Sequence, residues 1–142
     1  SVLTDTKIGE LGDFDSINVI LTTASGKQCT ITNSRRATYG YDQRIEVLGS
    51  KGSVSAENHR EANIEIADST GYLRPPLLNF FMSRYVNAYA NEIAAFVGAV
   101  ANGSPTPTTG HDGMMALALA DAALKSVAEG SVVKVSDVVG SP

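Results

Sequence analysis

Hydrophobic positions along this chain change period halfway. Ile17, Val19 and Leu21 alternate with Asn18 and Thr22, the period-two signature of a half-buried strand. Ala24-Ser25-Gly26-Lys27 follows as a turn, with Gly26 free to take a positive φ. Residues 28–33 alternate again, Cys29 and Ile31 on one face, Thr30 and Thr32 on the other, which predicts an antiparallel hairpin. Residues 43–48 predict a third strand, and Gly49-Ser50-Lys51-Gly52 turns it into a partner at 53–56. Ile64 and Ile66 mark a further short strand closed by Asp68-Ser69-Thr70-Gly71. From Leu78 to Ala101 the period lengthens. Leu78, Phe81, Met82, Tyr85, Tyr89, Ile93, Phe96, Val97 and Val100 form one apolar stripe on a long helix, stopped by Asn102-Gly103 and Pro105. A second helix, rich in Ala, Leu and Met, is expected over 112–129, with Asp112 as its cap and Gly130 as its stop. Residues 132–135 predict a last short strand, and 140–142 a frayed tail.

Strands, then two helices, then a strand make an α+β pattern: a mainly antiparallel open sheet with two helices on one face. Two helices leave the other sheet face open. Thr30, Thr32, Arg44 and Glu46 are expected on that face, too polar for a core and too sparsely charged for a freely solvated surface. Such a mixed face suits pairing with a second copy.

Composition narrows the function classes. At 142 residues and 43 % hydrophobic, the chain suffices for one packed domain spanning 1–142. Its net charge of −4, without any basic stripe, argues against nucleic acid or an anionic membrane as partner. No run of 18 apolar residues is present, and no leader-like segment opens the chain. The single cysteine, Cys29, is expected to be an inert buried thiol, compatible with a reducing cytoplasm. Ser1-Val2-Leu3-Thr4-Asp5 reads like entry into the middle of a longer chain.

The sequence has neither a G-x-G-x-x-G turn nor a P-loop, so no phosphate cradle is expected. His59 and His111 lack partners at metal-ligand spacing, so no metal site is expected. The surplus of polar and aromatic character lies in Asn33-Ser34-Arg35-Arg36-Ala37-Thr38-Tyr39-Gly40-Tyr41-Asp42. In an extended chain Tyr39 and Tyr41 would share one face, and Gly40 would leave room on the other for a ligand or a second backbone. Paired phenols can stack on a ring and hydrogen-bond hydroxyls, the chemistry of polyol recognition. They can equally pack beneath a helix while their hydroxyls reach solvent.

Asn33-Ser34-Arg35-Arg36, Tyr39-Gly40-Tyr41-Asp42-Gln43-Arg44 and Glu46-Val47-Leu48-Gly49-Ser50-Lys51-Gly52 resemble the C-terminal domain of the glucose-fructose oxidoreductase/inositol dehydrogenase/MocA family, in particular its inositol 2-dehydrogenases. The likeness continues through Arg84-Tyr85-Val86, Ala88-Tyr89, Glu92-Ile93 and Phe96, and through Asp112-Gly113 to Gly130. It implies a domain akin to that of dihydrodipicolinate reductase, which faces substrate and forms oligomers. The Rossmann domain that binds NAD or NADP, and the family's Glu-Lys-Pro and Asp-x-x-x-His catalytic motifs, are absent from these residues. The resemblance therefore implies that no catalytic or cofactor-binding residue lies in this chain, which alone would be inactive and bind no nicotinamide. It implies a cyclic polyol or sugar as substrate, Tyr41 in the substrate pocket with Tyr39 beside it, and Tyr89 in the core. It also implies a homo-oligomer through the open sheet face. A stand-alone small-molecule-binding module, or a purely structural oligomerisation unit, is the competing expectation.

Overall fold

The computed structural model describes residues 2–3 and 7–139. The expected reading of the opening residues and of the 140–142 tail falls largely outside them. Contacts divide the chain into two units, one holding residues up to 36 and from 99 onward, the other residues 37–98.

In the first unit β1 (Val2–Leu3), β2 (Ser16–Thr22) and β3 (Gln28–Ser34) form an antiparallel sheet in the order β1-β2-β3. The β2–β3 register runs from Ser16 opposite Ser34 to Thr22 opposite Gln28. Its turn is the predicted one: Gly26 takes φ 80°, and the Lys27 amide donates to Thr23 Oγ1 at 3.1 Å. Ile17, Val19 and Leu21 are half-buried while Asn18, Ile20 and Thr22 are exposed, as the alternation requires. Cys29 corrects the sequence reading. It stands opposite Leu21 on the expected face, yet it is exposed, because all of β3 is exposed.

A short α1 (Lys7–Glu10) lies between β1 and β2 in the chain, and α4 (Gly110–Glu129) is the long helix of this unit. Ala99, Ala118 and Ala122 are its buried apolar residues. The α4 cap also differs from expectation. Thr109 is the N-cap, its hydroxyl accepting from the Asp112 amide, and the Asp112 carboxylate accepts from the Thr109 amide at 2.7 Å. Asp112 is thus the third residue of a capping box rather than the cap itself. Gly130, at φ 64°, ends the helix as predicted. The strand expected at 132–135 does not form. A strand without a neighbour leaves its backbone groups unpaired, whereas a short helix pairs its own; the chain turns instead into α5 (Ser136–Val139).

The second unit contains two hairpins. β4 (Ile45–Gly49) pairs with β5 (Gly52–Ala56), and β6 (Ile66–Asp68) with β7 (Gly71–Leu73). The fold is α+β with antiparallel strands, as expected. Among the described residues the strands fall into three separate sheets rather than one continuous sheet. β7 was not foreseen; an Asp68 carboxylate accepting from the Thr70 amide at 2.8 Å makes the turn that builds it.

The long apolar stripe begins later than its periodicity suggests and is interrupted. α2 (Phe81–Arg84) ends at Tyr85, which leaves helical geometry at φ −109° and ψ 11°, and α3 (Val86–Asn102) continues. Residues 77–78 cannot be helical because their backbone is used elsewhere. Leu77 bridges Arg60, the Leu78 amide donates to the His59 carbonyl at 3.1 Å, and the Leu78 carbonyl accepts from the Tyr41 amide at 3.2 Å.

Candidate functional site

The Leu77–Leu78 segment organises the aromatic loop. Leu77 is buried, and Gly40, at φ 127°, lies so close that a β-carbon there would come within 2.7 Å of the Leu77 β-carbon. Gly40 therefore makes room for another backbone, one of the two alternatives the sequence offers. Residues 37–40 are a turn rather than an extended strand: the Gly40 amide donates to the Ala37 carbonyl at 3.2 Å. The premise that alternation alone aims Tyr39 and Tyr41 to one face does not hold.

The two phenols meet different partners. Tyr39 donates to Asp42, which also receives Arg44 through Nε at 2.8 Å and Nη2 at 2.9 Å, and Asn58 through Nδ2 at 2.7 Å. Asn58 in turn accepts from the Gln43 amide at 2.7 Å. Both Asp42 oxygens are thus saturated. These donors, Arg44 foremost and then Tyr39 and Asn58, hold the Asp42 carboxyl well below the usual carboxylate range. The same contact raises the Tyr39 phenol, because its proton is held between two oxygens. What Tyr39 retains for a ligand is acceptor capacity.

Tyr41 is half-exposed at 37 % and packs edge-on against Tyr85, ring centroids 5.8 Å apart. Tyr85 donates to Gln43 Oε1 at 2.6 Å and meets Tyr89 at 6.2 Å, likewise edge-on. The break between α2 and α3 places Tyr85 to make both ring contacts. Hydrogen bonding with Tyr85, then burial, pushes the Tyr41 phenol above its ordinary value. At neutral pH both Tyr39 and Tyr41 are neutral phenols, suited to hydrogen bonding and not to accepting a proton as bases. Tyr89 is 44 % exposed, so it is not a core residue of its unit.

Other residues singled out by the sequence take structural parts. Arg35 pairs with Asp13 and Arg36 approaches the buried Asp15 at 3.7 Å, so both fasten β3 to the segment before β2. Arg44 lies outside β4 and is engaged by Asp42, so it does not belong to an open sheet face; Glu46, Thr30 and Thr32 are exposed on strands. His59 contributes its carbonyl, and the Asp112 carboxylate beside His111 is taken up by Thr109. Among the described residues no three metal-ligating side chains converge. The N-terminus of α4 is closed by its own Asp112 carboxylate.

Sequence reasoning missed Tyr85, Asn58 and Arg84 as members of this cluster. Tyr85 was legible as one position of the helical stripe and, with Arg84, as part of the family resemblance, but neither was tied to this cluster. Asn58 lies 16 residues from the carboxylate it serves and has no local signal.

The chain is related to known proteins. The family described as the oxidoreductase family, C-terminal alpha/beta domain, matches residues 4–135, and the chain belongs to that family. It is 64 % identical over 129 residues to an inositol 2-dehydrogenase of Rhizobium meliloti, covering 91 % of this chain and 39 % of that protein. It is 46 % identical over 140 residues to a myo-inositol 2-dehydrogenase of Thermotoga maritima, covering 99 % and 42 %. The crystal structure of a myo-inositol dehydrogenase from Corynebacterium glutamicum superposes with a TM-score of 0.85 at 36 % identity, covering 90 % of this chain and 39 % of that one. The chain thus spans about two fifths of the length of the relatives it matches.

Proposed function

We propose that the chain is the substrate-facing and oligomer-forming C-terminal domain of an NAD(P)-dependent oxidoreductase that acts on a CH–OH group of a cyclic polyol, in the manner of an inositol 2-dehydrogenase. The observation that carries the reading is the Tyr41 phenol, which stays protonated, is half-exposed, and is braced edge-on by Tyr85. Membership of the oxidoreductase family and the names of the relatives supply the reaction class.

In this reading the chain's own residues bind and orient. Tyr41 hydrogen-bonds a ring hydroxyl, and Tyr39 offers an acceptor lone pair from the neighbouring loop position. Asp42, Arg44 and Asn58 keep that loop in one geometry, so that substrate binding need not order it. Apolar ring faces of Tyr41 and Tyr85 suit the C–H face of a cyclic polyol. The rest of the enzyme would hold a nicotinamide cofactor, which would supply the hydride-accepting chemistry. A relative in Bacillus subtilis, 28 % identical over 133 residues and named scyllo-inositol 2-dehydrogenase (NAD(+)), favours NAD over NADP.

A homo-oligomer and a cytoplasmic location belong to the same proposal. The β2–β3 face carrying Thr30, Thr32 and the 71 % exposed Ile20 offers the mixed surface that pairs with a second copy. An exposed free thiol at Cys29 persists most readily in a reducing compartment. Among the described residues no helix is long and apolar enough to cross a membrane. The test is nicotinamide reduction by the full-length protein against a panel of inositols, hexoses and acyclic alditols. Turnover concentrated on the cyclic polyols supports the reading, and turnover of acyclic alditols alone removes it.

A further inference from the structure

The arginines of the second unit are taken up, with one exception among the described residues. Arg44 is engaged by Asp42, Arg74 by Glu65, and Arg60 by the Pro75 carbonyl at 2.6 Å. Arg84 meets no carboxylate. Its Nε is buried without a hydrogen-bond acceptor, and its guanidinium carbon lies 5.7 Å from the centroid of the Tyr85 ring. A buried guanidinium N–H left without an acceptor is unfavourable. The ring attracts the charge but offers the in-plane N–H no lone pair. Placement in the last turn of α2 does not satisfy it either, since a helix of four residues has little dipole to complement.

An unmet donor of this kind, held beside a half-exposed phenol, fits a site that awaits an acceptor from outside the chain. Arg84, Tyr85 and Tyr41 are contiguous, the guanidinium on Tyr85 and Tyr85 edge-on to Tyr41. We propose that Arg84 contacts substrate, its guanidinium donating to an oxygen of the same cyclic polyol that Tyr41 engages. This rests on the polyol-binding reading above and adds a donor beside the Tyr85 ring. A guanidinium donates only and keeps its proton at every physiological pH. It therefore selects an acceptor oxygen: a hydroxyl lone pair of the polyol or the carbonyl of the ketone formed from it. Arg84 becomes a specificity-determining residue, because a ring lacking the oxygen it meets leaves the buried donor unpaired.

The test uses the full-length protein with myo-inositol at saturating nicotinamide cofactor, comparing wild type with Arg84→Met and Arg84→Lys. Arg84→Met should raise KM roughly tenfold to hundredfold while kcat changes by less than about threefold. Its melting temperature without substrate should stay level or rise, since the donor removed had no acceptor. A merely structural arginine would instead lower the melting temperature and leave KM alone, and that result overturns the proposal. Arg84→Lys keeps a cation beside Tyr85 and so guards against simple loss of the fold. It lacks the fixed Nε donor, so its KM should also rise, and a wild-type KM in that variant overturns the proposal as well. Wild-type turnover with an unchanged KM for Arg84→Met removes Arg84 alone. Absence of wild-type turnover on every polyol removes the underlying reading and this inference with it.

Discussion

Replacing Asp42 by Asn tests the framework that holds the aromatic loop. The carboxylate accepts from Arg44 Nε and Asn58 on Oδ1, and from Tyr39 and Arg44 Nη2 on Oδ2. An amide of the same shape keeps one oxygen and turns an NH2 group toward the other pair of donors. The Tyr39 hydroxyl can rotate to accept from that group, whereas Arg44 cannot. The variant therefore loses one charge-assisted bond and faces one donor with another. Such a bond contributes about 1.5–3 kcal/mol. Asp42 is only 14 % exposed, but Arg44 is 61 % exposed, so solvent screening moves the figure down to about 1–2 kcal/mol. For a chain of this length that lowers the melting temperature by about 3–8 °C. The pH dependence is fixed in sign. Asp42 has a folded-state pKa well below its ordinary 3.8, so its stabilisation is present above that value and declines as pH falls toward the folded one. Melting curves followed by circular dichroism at pH 7 and pH 3 should show the gap between wild type and Asp42→Asn narrowing at the lower pH. A gap that is absent at pH 7, or wider at pH 3, refutes the network as drawn.

Thr109→Ala removes the α4 capping hydroxyl and should destabilise the protein by about 1 kcal/mol, a shift of a few degrees in the same melting assay, with activity retained. Cys29 should react with a thiol reagent in the native protein as fast as in urea; protection by folding would contradict its exposure. Ile20→Lys, on the exposed β2–β3 face, should shift assemblies of the full-length protein toward smaller species in light scattering, and an unchanged mass would place the interface elsewhere.

Local pattern carried the β2–β3 hairpin, the Gly26 turn, the β4–β5 hairpin and the extent of α4, because each depends on residues adjacent in sequence. It misjudged what depends on distant partners. The stripe from Leu78 predicts one uninterrupted helix, but the backbone of Leu77 and Leu78 is claimed by His59, Arg60 and Tyr41. Cys29 has the alternation of a buried residue, yet alternation specifies a face and not whether anything covers it. Asp112 was recognised as a terminal residue, but Thr109, three positions earlier, is the better cap and makes it reciprocal. Tyr41 drew attention through its motif, while Tyr85 and Arg84, already present in the family resemblance, joined it in one cluster only once the break between α2 and α3 was visible.

The central claim is that Tyr41 meets the polyol, and its most direct test is kcat/KM for myo-inositol in the full-length protein with Tyr41→Phe. The substitution deletes one hydroxyl and leaves the edge-on contact with Tyr85. One hydrogen bond left unmade in a bound complex corresponds to about 1–3 kcal/mol, so kcat/KM should fall roughly tenfold to hundredfold while cofactor affinity stays constant. An unchanged kcat/KM would contradict the account.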